Sequence, residues 1–153
     1  MRPAPLLAAL VLAAAWPATS QPMAPMLTVK EVMKHVVNPA AETFWKGSGS
    51  VTTEDGVEER APTTDAAWDA LVNAAAVVLE GGVILKTPGQ GPADPEWQRF
   101  SQQLADAGAL GMAAARAKDE DKVFEAGGEV YNACYACHAK YIPRPANSLW
   151  KQP

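Results

Sequence analysis

Four stretches of this chain place apolar or small residues at alternating steps of three and four, with a Gly- or Pro-bearing or acidic break before the next stretch. Such steps line up along one side of a helix with 3.6 residues per turn, and along no side of a strand. In residues 27–46 the stripe is Val29, Met33, Val36 and Ala40. In 64–79 it is Trp68, Leu71, Ala75 and Val78. In 94–118 it is Trp97, Phe100, Leu104, Ala107 and Gly111. The last stretch begins at Asp119-Glu120-Asp121 and carries Val123, Gly127, Val130, Cys134, Cys137 and Tyr141. No single stripe buries itself, so the helices must cover one another. The expected class is all-α, a helical bundle.

The breaks fit this reading. Asn38-Pro39 falls inside the first stretch, where the helix either kinks or restarts with Asn38 as cap and Pro39 in the first turn. Gly47-Ser48-Gly49-Ser50 ends it. Residues 51–63 are polar, with Gly56 and Pro62, and read as a loop. Gly81-Gly82 is expected to stop the second helix. Residues 87–95 hold three prolines and two glycines and form another loop. Asp94-Pro95 then supplies a cap and a first-turn proline for the third helix, and the acidic cluster 119–121 suits the positive end of the fourth helix's dipole. Pro143 and Pro145 forbid continuation beyond Tyr141.

Residues 1–20 read as a cleaved signal peptide, with a single domain over 21–153. Arg2 gives the positive start, the run from Leu6 to Ala15 is apolar, and Ala18-Thr19-Ser20 presents small residues for cleavage after Ser20. The run is shorter than the roughly 20 residues a membrane span needs. No later stretch is read as a span, so the expectation is a soluble exported protein of the periplasm without stable membrane insertion. Arg2 leaves with the leader, which makes the mature chain one charge more negative than the −4 of the whole. An acidic surface argues against nucleic-acid binding and suits a basic partner.

The chemistry is concentrated in Cys134-Tyr135-Ala136-Cys137-His138, a C-x-x-C-H sequence. This is the attachment signature of c-type haem. Two thiols three residues apart share one helical turn, so both can bond the vinyl groups on one edge of a porphyrin. The adjacent imidazole then faces the iron. Rival readings are weaker. A thioredoxin-like redox pair needs a βαβ context that is absent here. Structural zinc wants four ligands, and the chain holds only two Cys and two His. A disulfide closing so short a loop staples almost nothing.

With its C-x-x-C-H in the last helix, the chain resembles the class II c-type cytochromes, meaning cytochrome c-prime and its low-spin relatives. The resemblance covers roughly residues 29–141 and implies an antiparallel four-helix bundle with one covalent haem c near the C-terminus. Tyr141 matches the aromatic residue the family carries soon after the motif. The basic residue expected beside it is replaced by Ile142, with Arg144 further on. Low-spin members take their sixth ligand from a Met in the first helix, and Met33 stands in that position. Met26 is the next candidate, ahead of Met112 near the edge of the third stripe and Met23 in the lead-in. The plain alternative for Met33 is core packing. His35 lies about 200° round the helix from Met33 and reads as a surface residue.

Trp45, Trp68 and Trp97 read as core or pocket wall, and Tyr131 as core or haem lining. Lys30, Lys34 and Lys140 read as solvated, with haem propionates as their alternative partners. The expected function is a one-electron carrier for a periplasmic redox partner protein rather than an enzyme. Iron would be held by His138 and Met33. The alternatives are a five-coordinate binder of nitric oxide or carbon monoxide, as in cytochrome c-prime, and a haem subunit of a periplasmic enzyme. The family's habit of pairing through its early helices adds a homodimer to the expectations.

Overall fold

Four helical starts fall where a short polar side chain satisfies a free N–H group. In the computed structural model, which describes residues 24–142, Thr28 and Glu31 form a reciprocal capping box: Oγ1 of Thr28 accepts from the Glu31 N–H, and the Glu31 carboxylate accepts from the Thr28 N–H at 2.8 Å. Thr64 accepts from the Ala67 N–H at 3.1 Å, Asp94 from Glu96 at 2.9 Å and Asp119 from Lys122 at 3.1 Å. The starts expected at Asp94-Pro95 and at the 119–121 cluster are therefore observed. The leader proposed for residues 1–20, the candidate ligand Met23, and Trp150 lie outside the described residues.

The elements are α1 (Val29–Val32), a π-helical segment (Met33–Val37), α2 (Asn38–Lys46), β1 (Gly49–Thr53), β2 (Gly56–Arg60), α3 (Asp65–Lys86), α4 (Pro95–Arg116) and α5 (Glu120–Tyr141). The fold is mostly helical, as expected, but it also contains a two-stranded sheet. Residues 49–60, largely read as a loop, form an antiparallel hairpin with Thr53 opposite Gly56 around Glu54 and Asp55. Its strands are nearly all exposed, so the apolar alternation that marks a half-buried strand is missing.

The first helix does not restart at Asn38-Pro39. It runs through, and the turn before the proline widens. Pro39 has no N–H for the carbonyl of His35, and its ring crowds that oxygen. The Asn38 N–H instead bonds the Met33 carbonyl, five residues back. The extra residue in this turn shifts the stripe. Val32, Val37, Ala41 and Phe44 are fully buried, while Val29, Met33 and Val36, expected on the core face, are half-buried beside it. The step of five between Val32 and Val37 is the π segment seen in burial.

The helix α3 does not stop at Gly81-Gly82 but continues to Lys86. These glycines allow close approach. A Cβ on Gly82 would lie 2.5 Å from the Ala105 backbone nitrogen, and one on Gly81 2.6 Å from Cγ2 of Val37. The continuation matters because it carries Leu85 into the core. By length and composition α3 is long and apolar enough to cross a membrane, and 44% of that apolar window is buried against the protein itself.

The largest packing surface joins α3 to α4, the next joins α4 to α5, and α2 lies on α3 and only lightly on α5. Trp97 ties the first seam: it is 4% exposed and its indole N–H donates to the Leu85 carbonyl at 2.7 Å. Trp97→Phe keeps much of the ring area but leaves that buried carbonyl without its donor. The expected loss is about 1–3 kcal/mol in urea unfolding. An unchanged midpoint would mean that the bond contributes nothing.

Candidate functional site

The end of α5 sets the geometry. Cys134 and Cys137 are one turn apart on the side that packs against the core, and both are half-buried free thiols. His138 follows and is exposed. The Ile142 N–H closes the last turn onto the His138 carbonyl at 3.0 Å. Cys134, Cys137 and His138 line a small cavity together with Met33. The rest of its wall is Leu85 from α3, Phe100, Ser101 and Leu104 from α4, and Ala133. Thus the structure brings together all four residues singled out in the sequence, from opposite ends of the described chain.

Burial pushes both thiols above the usual cysteine range, and at Cys137 the neighbouring Cys134 adds to the effect. The shift is opposite to the lowered pKa of a reactive redox pair. Among the described residues, no three His, Cys, Asp or Glu side chains are grouped to hold a metal ion. The donors assembled here are two thiols, one imidazole and one thioether. That set would suit a haem attached through both thiols, with His138 and Met33 as iron ligands, and the apolar wall would suit a macrocycle. The cavity itself has a volume of about 20 Å³, room for one water. A macrocycle therefore requires the helices to part.

The remaining candidates sort themselves by position. Met26 is 90% exposed, and Met112 packs on a second core cluster around Phe44 and Trp68. His35 is exposed and lines a groove with Asn73 and Val77, away from the thiols. Lys30 and Lys34 are exposed, while Lys140 reaches Glu96 and, at 3.8 Å, Asp94. Tyr131 is neither core nor lining: it is 59% exposed and stacks on Tyr135. Trp45 is half-buried and donates to the Gly127 carbonyl at 2.9 Å, and Trp97 stands behind the cavity against Tyr141.

Sequence reading missed Leu85, Ser101 and the second role of Asp94. Ser101 is a polar residue only 3% exposed at the cavity wall. Asp94 caps α4 and also accepts the Tyr141 hydroxyl at 2.5 Å. Partial burial, and then the Asp94 carboxylate, push the Tyr141 phenol up to about 12. A raised phenol favours the fold fully below pH about 10 and loses that contribution as pH rises through about 12.

No protein-family model, no curated protein and no solved structure matches this chain.

Proposed function

We propose that this chain is a monohaem c-type cytochrome that works as a one-electron carrier. The single observation that carries the reading is the convergence of Met33 on the cavity lined by Cys134, Cys137 and His138. The C-x-x-C-H sequence alone names an attachment site. A thioether arriving from the first helix gives that site a second axial donor, which a disulfide or a zinc site would have no use for.

In this reading Cys134 and Cys137 would hold a haem through thioether bonds, and His138 and Met33 would supply ligands to its iron. The haem supplies reversible one-electron chemistry between ferric and ferrous iron, with the Met thioether raising its potential. Leu85, Phe100 and Leu104 keep water from the iron's surroundings. The antiparallel arrangement of four helices, export to the periplasm, a soluble mature form with α3 as core helix, and a periplasmic redox partner all belong to this proposal. Encounters with such a partner are small and transient, and the acidic surface favours a basic one.

The test is expression of the full chain in a host with haem-attachment machinery, followed by intact mass and absorption spectroscopy. The expected product has lost its leader and gained the mass of one haem. The Cys134→Ala, Cys137→Ala double variant should be exported without it. A colourless exported protein with both thiols free sinks the reading. A high-spin ferrous form that takes up carbon monoxide sinks the Met33 ligand and favours gas binding.

A further inference from the structure

We propose that Tyr141 and Asp94 form a clasp that positions His138, so that each is a positioning residue for the axial ligand. The inference rests on the haem reading for its functional consequence, while the clasp itself rests on geometry alone.

Tyr141 is the last residue of α5, three after His138 and therefore on the same turn. Beyond it Ile142 is already extended, and the next residue is a proline. The turn that presents the imidazole is the one most prone to fray. Its neighbours His138, Ala139 and Lys140 are all exposed, so packing does little to hold it. Tyr141 alone turns inward. Its ring meets Trp97 edge-on at 5.1 Å and Phe100 edge-on at 6.2 Å, and its hydroxyl donates to Oδ2 of Asp94 at 2.5 Å.

Asp94 is fixed before Tyr141 reaches it. Its Oδ1 accepts the Glu96 N–H as the cap of α4, which leaves Oδ2 aimed at the end of α5. Lys140, adjacent to Tyr141, adds an ion pair to Glu96 and stands 3.8 Å from Asp94. The first turn of α4 thus grips the last turn of α5, and Phe100, one of the clasp's aromatic partners, is also a wall of the cavity. The carboxylate serves both ends because each oxygen has its own donor.

The test compares haem-loaded wild type with Tyr141→Phe and Asp94→Ser. Phenylalanine keeps the ring contacts and removes the hydroxyl; serine keeps the cap and is too short to hold the hydroxyl as well. Both variants should retain one attached haem by mass. Both should lose the His138 ligand about tenfold faster than wild type when the ferrous protein takes up nitric oxide, which weakens the bond opposite it, read as the five-coordinate nitrosyl spectrum. Tyr131→Phe, on the exposed face, should lose it at the wild-type rate. Phe44→Leu, in the distant core cluster, should lower the melting temperature without altering that rate. In the haem-free chain, the amides of residues 139–142 should exchange hydrogen about tenfold faster in Tyr141→Phe, with those of residues 123–130 unchanged. Equal rates of ligand loss in wild type and Tyr141→Phe overturn the positioning role, and unaltered amide exchange overturns the clasp. A wild-type protein that binds no haem overturns the cytochrome reading instead, and the amide measurement still decides the clasp.

Discussion

Gly108→Ala is expected to destabilise the protein by roughly 2 kcal/mol or more, although alanine is the better helix former by about 1 kcal/mol. Gly108 lies inside α4, where the added methyl would stand 2.4 Å from the backbone nitrogen of Leu79 and 2.7 Å from its Cα. Overpacking costs about 1–3 kcal/mol where side chains can move aside. Here the obstacle is the backbone of α3, so two helices must separate. Gly82 makes the reciprocal contact from α3, with Ala105 and Ser101 in the same position. The control is Gly128→Ala in α5, where the new methyl meets nothing within 4 Å. That change should stabilise by about 0.5–1 kcal/mol. Urea unfolding of both variants checks the pair. If Gly108→Ala were also stabilising, α3 and α4 would not be in backbone contact.

The same glycines explain where the sequence misleads. A glycine that ends a helix and one that admits a neighbouring helix are the same letter. The distinguishing signal was downstream: Leu85 stands seven residues after Val78, so the stripe of α3 continues past Gly82 in register. Three of the four buried stripes, the cap at Asp94 and the helix start at the 119–121 cluster were legible because each rests on local spacing, local hydrogen bonding or local charge. In the first helix the spacing itself changes. The proline was visible, but not that the chain would answer it by inserting a residue into the preceding turn. The hairpin was illegible because neither of its faces is buried. At the site, C-x-x-C-H and Met33 could be read from the chain. Ser101 and the Asp94–Tyr141 bond could not, since each depends on which helix lies beside which, and nothing in local periodicity states that.

The π segment gives the sixth-ligand proposal its sharpest form. Because Val32 and Val37 fill the core, Met33 stands at its edge, where it lines the same cavity as Cys137 and His138. Met33→Ala in the haem-bearing protein should therefore act on the iron more than on the fold. The side chain is half-buried, so the loss of stability should fall below the 2–5 kcal/mol of a fully buried Met→Ala change. The ferric spectrum should turn from low-spin to high-spin, with loss of the weak far-red band of thioether ligation, and the ferrous form should begin to bind carbon monoxide. Thioether ligation favours ferrous iron, so the potential should fall, by on the order of 0.1 V within the span of about 0.8 V that axial ligands command. His35→Ala and Met26→Ala, both on exposed residues, should leave spectrum and potential as they were. A low-spin spectrum that survives Met33→Ala would remove this residue from the iron and return it to the role of packing.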